Sequence, residues 1–226
     1  MNFALIFQTW INVLTHPGEP VFVQEREKPY ATLSTALLWI VITAVVGSLL
    51  SWVRSLLFVG MGGMGVMLEQ MQQANLPPEM RDMMQGLLAN GLFTGLAGGL
   101  GLVMTIILTP IFFLLGTGLF HLVARLLGGK GDFGRFAYLT ATYGAPIQLI
   151  SALLGFVPLL GGCVGVLLAL YSLVLLFFAI KVEYSFSDGK SIGTIVLTVV
   201  GTLVICGCAA VTVGGTIAAL LGNLGQ

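Results

Sequence analysis

The densest group of polar side chains in the sequence lies between residues 121 and 135, where a histidine and several charges surround a run of glycines. His121 and Arg125 are four residues apart, so they share one face of a helix. The glycines permit a tight turn with positive φ. We interpret the segment as a docking or headgroup-binding loop; the simpler alternative, which the sequence alone favours, is a well-anchored inter-helix loop. Its residues are His121, Arg125, Gly128, Gly129, Lys130, Asp132 and Arg135.

A second group of polar side chains surrounds a proline inside an apolar run. Pro146 removes one backbone hydrogen bond from a helix and frees a carbonyl, beside which Thr142, Tyr143 and Gln148 form a polar patch. The patch is interpreted as a hinge or a small polar cavity. The alternative, which is the commoner case, is a helix kink whose freed carbonyl is hydrogen-bonded by a neighbouring helix. Pro110, in an earlier apolar run, allows the same two interpretations.

Seven of the nine methionines lie between residues 61 and 84, and four of them recur at helical spacing. Thioether sulfur is a soft ligand that suits Cu(I), so Met61, Met64, Met67 and Met71 are a candidate metal site. We favour an adaptable amphipathic hairpin instead, because methionine fills irregular apolar surfaces readily. We predict no cofactor and no bound metal.

The sequence lacks the patterns that most soluble-type active sites need. The glycine-rich stretch contains Lys130, but Gly131 follows it, so the Gly-Lys-Ser/Thr end of a phosphate-binding loop is missing. His16 and His121 are the only histidines, and their spacing forms no metal-binding pair. We therefore predict that the protein is not an enzyme.

The composition indicates what kind of protein must position these residues. Of 226 residues, 57% are hydrophobic and only 8% are charged, against roughly 25% charged in an average soluble domain. A soluble fold would need more polar residues to cover its surface. A disordered chain is also excluded, because disordered proteins have a low content of apolar residues. Because nine Lys and Arg balance nine Asp and Glu, the chain has no basic field to attract nucleic acid. A polytopic membrane protein is predicted.

The apolar runs predict an all-α membrane protein, a bundle of five transmembrane helices. A helix needs about 20 apolar residues to cross the bilayer, and long unbroken runs favour helices over barrel strands. The predicted turn of a tight hairpin is at residues 158–162, and residues 80–100 are predicted to form an interfacial or partly inserted helix. The five spans are residues 31–53, 102–124, 136–157, 159–180 and a fifth from 191 to before 221.

The N-terminal segment, residues 1–30, precedes the five-helix domain of residues 31–226 and carries an amphipathic helix. Phe3, Ile6, Phe7, Trp10 and Leu14 recur at helical spacing, while polar residues face elsewhere. This helix has no Lys or Arg, so it would lie at the membrane interface through burial of its apolar side chains. Packing on the protein's own loops is an equal alternative.

The lysines and arginines predict the orientation of the chain. Seven of the nine fall in the N-terminal segment and in alternate connections, whereas Arg54 and Arg81 fall on the opposite side. Because positively charged loops stay in the cytoplasm, we predict a cytoplasmic N-terminus and an external C-terminus. No Asp, Glu, Lys or Arg lies in the middle of a predicted span. This argues against a proton-coupled pump and leaves a facilitative pathway open.

Glycines spaced four residues apart let helix backbones approach closely. Gly91, Gly95 and Gly99 form two overlapping units of this kind, and Gly161 and Gly165 form another. They favour close helix packing and self-association, although such spacing also arises by chance in a chain with 31 glycines.

Four fragments of the sequence resemble the bacterial branch of the Yip-one (Ypt-interacting protein) domain family. They are W-x-x-V-L-T-H-P from Trp10, H-L-V-A-R-L-L-G-G-K-G-D-F from His121, A-x-x-x-A-P from Ala141 and V-P-L-L-G-G from Val157. The resemblance covers roughly residues 10 to 213 and implies a five-helix integral membrane protein without enzymatic chemistry. Eukaryotic relatives bind Rab-type GTPases and act in vesicle budding and membrane shaping, but this chain has no counterpart of their Asp-Leu-Tyr-Gly-Pro segment.

These features favour a non-enzymatic scaffold or adaptor in the inner membrane of a bacterium, which organises the membrane or recruits partners. The alternative is a facilitative transporter or channel for a small solute or metal ion, which would use the patch around Pro146. The expected partners are membrane lipids, together with other membrane proteins or a second copy of the chain, and no nucleic acid.

Overall fold

A computed structural model describes residues 3–61, 69 and 101–224 of the chain. These parts consist of helices and their connections, with no β-strand, which confirms the all-α prediction. The segment that was predicted to form an interfacial helix, residues 80–100, lies outside the described residues. The helices are α1 (Phe3–Thr15), α2 (Glu19–Arg26), α3 (Leu33–Gly60), α4 (Gly101–Leu126), α5 (Phe133–Leu154), α6 (Pro158–Tyr184) and α7 (Asp188–Leu224).

Four of these helices are long and apolar enough to cross a membrane, which supports the predicted multi-pass protein. Their apolar stretches are Leu33–Phe58, Gly101–Leu126, Gly161–Tyr184 and Asp188–Cys208. They correspond to the predicted first, second, fourth and fifth spans. The predicted third span, residues 136–157, falls on α5, which has 22 residues and is on average less hydrophobic than the other four long helices.

Helix α5 lies at the centre of the bundle and packs closely against α3 and α6. Small alanines alternate with aromatic residues in its first half, so that neighbouring helices approach it and bury the rings. Phe136 and Tyr138 are fully buried, and Trp39 of α3 packs against Tyr138 at 5.2 Å between ring centroids. By contrast, α4 and α7 present large apolar side chains such as Phe112 and Leu203 on the outside, where lipid would cover them.

The N-terminal helices pack on the bundle rather than standing apart from it. Trp10 of α1 meets Trp39 edge-on at 5.9 Å, and the Tyr171 hydroxyl of α6 donates a hydrogen bond to the Leu14 carbonyl at 2.7 Å. Of the predicted apolar face, Ile6 and Trp10 are buried, whereas Phe7 is exposed. Packing on the protein therefore uses only part of the apolar surface of α1, and the rest faces outward.

The connections at the two ends of α5 have identifiable causes in the sequence. Asp132 is the N-cap of α5, because its carboxylate accepts a hydrogen bond from the Arg135 backbone N–H at 2.9 Å. At the other end α6 begins at Pro158, whose fixed φ suits the first turn of a helix. The hairpin turn therefore covers residues 155–157, and the prediction of a turn at 158–162 was wrong.

Candidate functional site

Charged side chains gather at one end of the bundle, which we call the polar end. It comprises residues 19–31, the α4–α5 connection with the first turn of α5 (127–135), and the junction of α6 with α7 (181–190). All four ion pairs within the described residues lie here. The candidate spans begin or end at this level, so the polar end lies where the headgroups of a bilayer would be.

Glu183, in the last turn of α6, is the buried centre of the polar end and is only 4% exposed. Its Oε1 accepts hydrogen bonds from the Asp132 backbone N–H at 2.7 Å and from Arg135 Nε at 3.2 Å. Its Oε2 is buried and has no hydrogen-bond partner among the described residues. Because a buried charge is costly unless it is paired, Arg135 offsets the burial of Glu183 and ties α5 to α6.

A second buried carboxylate, that of Glu25, joins α1, α2 and α5 and is 1% exposed. Its two oxygens accept hydrogen bonds from Lys28 Nζ at 2.5 Å and from the Tyr138 hydroxyl at 3.0 Å, while Lys28 Nζ also donates to Thr9 Oγ1 at 3.3 Å. Burial lowers the pKa of Lys28, but the hydrogen bond and charge of Glu25, together with Tyr30, raise this pKa above its usual value. Lys28 therefore stays charged at neutral pH and neutralises Glu25.

Two further contacts attach α2 to α6. Lys181 Nζ lies 2.9 Å from Glu19 Oε2 and 2.7 Å from Asp188 Oδ1, so it bridges α2 and the start of α7. Arg26 Nη1 donates a hydrogen bond to the Val182 carbonyl at 2.8 Å. Because exposed ion pairs contribute little to stability, these contacts chiefly fix the position of α2.

The α4–α5 connection passes close to Tyr184, and glycines make this approach possible. A Cβ added at Gly129 or Gly131 would lie 2.7 Å from the Tyr184 ring, which is closer than a side chain allows. Gly128 has a φ of +89°, a conformation that favours glycine. His121 Nδ1 and the Tyr184 hydroxyl are hydrogen-bonded at 2.6 Å. His121 thus anchors the ring that determines the path of the connection.

A cavity of about 870 Å³ opens at the polar end between these groups. Within the described residues Lys130 forms no hydrogen bond or ion pair. Arg135 forms its side-chain hydrogen bond and ion pair through Nε alone. The terminal nitrogens of Arg135 and the ammonium of Lys130 therefore have donor capacity for a ligand. The charged residues of the lining are Arg26, Glu27, Lys28, Lys130, Asp132, Arg135 and Glu183.

The predicted docking-loop residues are divided between this cavity and its surroundings. Gly129 is buried against Tyr184, His121 holds that ring from α4, and Arg125 is exposed outside the lining. Those that line the cavity are Gly128, Lys130, Asp132 and Arg135.

The other half of the bundle holds two adjoining cavities of about 540 and 910 Å³. Ser48 and Thr105 line the smaller one, but their hydroxyls donate to carbonyls of their own helices at 2.9 and 2.8 Å. Gln148 Oε1 accepts a hydrogen bond from the Thr43 hydroxyl at 3.3 Å. Contacts within the protein therefore satisfy several of the polar groups at this depth.

The residues of the predicted patch around Pro146 lie in different surroundings. Thr142, Tyr143 and Pro146 are buried in the bundle, and the Thr142 hydroxyl donates to a carbonyl of its own helix at 2.6 Å. Gln148 lines the 540 Å³ cavity. Pro110 lies inside α4 and does not line any of the three cavities described above.

The predicted packing glycines and metal ligands are only partly described. A Cβ added at Gly161 would lie 2.7 Å from the Leu154 carbonyl oxygen, whereas Gly165 has open space around it. Met61 is exposed. Residues 101–224, 3–61 and 69 contain no group of three or more His, Cys, Asp or Glu that could hold a metal ion. Outside the described residues lie Met64, Met67, Met71, Gly91, Gly95 and Gly99.

Some residues of the polar-end cavity were not among the predicted site residues. The sequence does contain a signal for one of them, because Glu183 is the only carboxylate between residues 133 and 187 and follows 45 uncharged residues, 136–180. A lone carboxylate at the end of so long an apolar run needs a partner. The residues that were missed are Arg26, Glu27, Lys28, Glu183 and Tyr184.

Comparison with protein families matches residues 11–211 to the Yip1 domain. This stretch includes every residue that lines the polar-end cavity. Comparisons with the curated proteins and with the solved structures find no match. Yip1 is not a known enzyme family. Because the match covers far more than half of the 226 residues, the chain belongs to the Yip1 domain family.

Proposed function

We propose that the chain is a non-enzymatic scaffold or adaptor that crosses the inner membrane of a bacterium five times. The polar end carries this proposal. There, buried carboxylates hold α1, α2, α5 and α6 in one arrangement around an open charged cavity, which is what a docking platform needs. The apolar runs that lead away from it contain no charge in their middles. The chemistry of the chain is thus concentrated at one membrane surface.

The remaining span of the five, the predicted third, is α5. Its 22 residues give a length of about 33 Å, which is enough to cross the hydrocarbon core. It starts at the polar end, and just beyond its last residue the Gly155 carbonyl accepts a hydrogen bond from Arg54 Nη1 at 3.3 Å. Arg54 belongs to the last two turns of α3, so α5 reaches to within about two turns of the end of α3. Its polar side chains are tolerated because the bundle surrounds them.

The polar end is the cytoplasmic end. Seven of the nine lysines and arginines fall on its side of the predicted topology, and such an excess is typical of cytoplasmic loops. The N-terminus is then cytoplasmic and the C-terminus external. The outward apolar side chains of α1, Phe7 and Ile11, would contact the cytoplasmic leaflet while its inner face packs on the bundle.

Site-specific photo-crosslinking in intact cells tests the platform. A photoreactive residue in place of Arg125, which is exposed in the last turn of α4 beside the polar end, or in place of Lys190, which is exposed in the polar end, is expected to yield defined protein adducts. The same residue in place of Phe112, on the outer surface of α4, is the matched control and is expected to yield lipid adducts only. If positions 125 and 190 give no more protein adducts than position 112, the scaffold proposal is wrong.

The runner-up is a facilitative pathway for a small solute, and the 540 Å³ cavity favours it. Ser51, Ser55 and Ser151 add hydroxyls to its wall, and it reaches from the middle of α3 towards the Arg54 end. We rank this function second because Ser48, Thr105 and Gln148 are already hydrogen-bonded within the protein.

Solute entry into proteoliposomes separates the two functions. For a scaffold, we expect vesicles that contain the pure protein to take up glycerol or other small neutral solutes no faster than empty vesicles. Faster uptake that is abolished by Ser51→Phe, which would fill the cavity, would establish the pathway. The control is Leu203→Phe on the outer face of α7, which should leave uptake unchanged.

A further inference from the structure

The polar-end cavity lies at the depth of lipid headgroups. Its lining comes from the end of α2 and the residues that follow it, from the α4–α5 connection with the first turn of α5, and from the end of α6. A candidate span begins or ends beside each of these segments. The cavity is therefore neither in the hydrocarbon nor far out in water. A molecule that enters it from the side would have its polar group in the cavity and its apolar part against the outer surface of the helices.

Three cationic side chains that line this cavity have N–H donors with no acceptor among the described residues. Arg26 and Arg135 each make one described side-chain hydrogen bond through a single guanidinium nitrogen, and Lys130 makes none. Guanidinium and ammonium groups are the donors that bind phosphate oxygens best. Two of the three carboxylates in the lining are already engaged, since Asp132 caps α5 and Glu183 is held by Arg135. The third, Glu27, is exposed.

An apolar surface suited to acyl chains adjoins the cavity. Leu122 and Leu126 lie on α4 immediately before the Gly128 turn, and Leu126 is 75% exposed. The exposed surface of α4 continues along the helix with Leu115 and Phe112. An amphiphile whose polar group sits beside Lys130 would have this surface for its chains.

We infer that the polar-end cavity binds the phosphate group of a membrane phospholipid, held by Arg135, Lys130 and Arg26. The occupant is a lipid of the adjoining leaflet, because the cavity is at headgroup depth and its neighbouring surface is apolar. The exposed carboxylate of Glu27 suits a headgroup that also carries an ammonium, such as phosphatidylethanolamine. The inference deepens the proposed function, on which it rests only for the identification of this leaflet as the cytoplasmic one.

Lipid titration of the full-length protein in detergent, read by native mass spectrometry, tests the inference. The probes are phosphatidylethanolamine, phosphatidylglycerol and a diacyl galactolipid without phosphate. We expect the two phospholipids to bind and the galactolipid to bind much more weakly. Lys130→Gln removes a side chain with no described contact and should weaken phospholipid binding about fivefold.

A second variant tests the geometry of the site and keeps a positive charge beside the buried carboxylate of Glu183. Arg135→Lys retains a positive charge beside Glu183 but loses the planar fork that binds two phosphate oxygens, so it should also weaken phospholipid binding. Lys190→Gln is the matched control, because it removes the same charge from the polar end outside the cavity. Its binding should equal that of the unchanged protein.

Competition with inorganic phosphate distinguishes a lipid phosphate from a free phosphate as the natural occupant of the cavity. If millimolar phosphate leaves lipid binding unchanged, the occupant is a lipid; if phosphate displaces the lipid, the same donors serve a free phosphate and the lipid assignment is overturned. Galactolipid binding as tight as phospholipid binding, or equal binding by all three variants, would overturn the oxyanion site itself. None of these results depends on protein adducts, so the scaffold proposal stands or fails separately.

Discussion

Tyr184 and two glycines fix the shape of the polar end at the level of single residues. The Tyr184 hydroxyl is held by His121, and its ring occupies the space that side chains at positions 129 and 131 would need. The sequence indicates a tight turn in this segment because it is rich in glycine. It does not indicate which aromatic ring the glycines accommodate, since that residue lies more than 50 positions away.

Substituting Gly131 should therefore destabilise the protein. A Cβ there would lie 2.7 Å from the Tyr184 ring and 2.9 Å from Glu183 Cγ. Gly131→Ala is expected to cost about 1–3 kcal/mol, as over-packing of a close contact does. Thermal unfolding in detergent measures this as a lower midpoint. Gly144→Ala is the control, because an added Cβ meets nothing within 4 Å in α5; equal midpoints for the two variants would contradict the prediction.

Ser185 offers the opposite change, a stabilising substitution. It ends α6 with a φ of +52°, and it is the only described residue other than glycine with a positive φ. The left-handed conformation costs about 1–2 kcal/mol for an L-residue with a Cβ, and glycine avoids this cost. Glycine also has greater conformational entropy in the unfolded chain, which cancels part of the gain. Ser185→Gly should stabilise the protein by about 0.5–1 kcal/mol in the same unfolding measurement, whereas Ser185→Ala should not. A midpoint lowered by Ser185→Gly would refute this account.

At the scale of elements, the docking of α1 and α2 on the bundle is the main feature that the sequence leaves open. Helical periodicity predicts an amphipathic α1, but the same apolar face suits lipid and protein equally. In the structure Trp10 and Val13 pack inward while Phe7 and Ile11 remain outside. The choice depends on Trp39 and Tyr171, which belong to distant helices and are not distinguishable from other span residues in the sequence.

Trp39 is the residue of α3 on which α1 docks. Two substitutions distinguish the contribution of its aromatic ring from that of its indole N–H. The indole nitrogens of Trp10 and Trp39 are both buried without a partner among the described residues. Trp39→Phe keeps an aromatic ring and loses no hydrogen bond, so only the smaller volume of Phe costs stability, and we expect a loss of about 1–2 kcal/mol. Trp39→Ala should cost about 3–5 kcal/mol and release α1.

Limited trypsin digestion measures this release. Cleavage after Arg26 should accelerate in Trp39→Ala and stay slow in Trp39→Phe, because Arg26 is held in the polar end when α1 and α2 are docked. If the two variants are cut at the same rate, α1 does not depend on Trp39 for its docking.

At the scale of the whole molecule, the apolar helices were predictable and the cavity was not. Each span follows from about 20 consecutive residues, so the chain carries that information locally. The cavity combines residues 26–31, 128–135 and 183–185, which only the helix arrangement brings together. The orientation of a membrane protein follows from its lysines and arginines, and Asp and Glu contribute little to it. For this reason the two buried carboxylates, Glu25 and Glu183, were missed.

The proposed topology predicts which surfaces an impermeant maleimide can reach. In a background with Cys163, Cys206 and Cys208 changed to Ser, Val157→Cys at the hairpin turn should be labelled in intact spheroplasts. Lys190→Cys should be labelled only after the membrane is opened, because the proposed topology puts the polar end on the cytoplasmic side. The reverse pattern would invert the topology, and labelling of both positions on the same side would exclude α6 as a span.

The attachment of α2 has a consequence for the order in which the protein is made. Glu25 takes its partner from residue 138, and Arg26 takes its partner from residue 182. A ribosome emits the N-terminal segment first and these partners more than 100 residues later. Until residues 138 and 182 have been made, α2 lacks both of these partners, although Trp39 of α3 is already available to Trp10 of α1. Final closure of the polar end is therefore a late, post-insertion event in biogenesis.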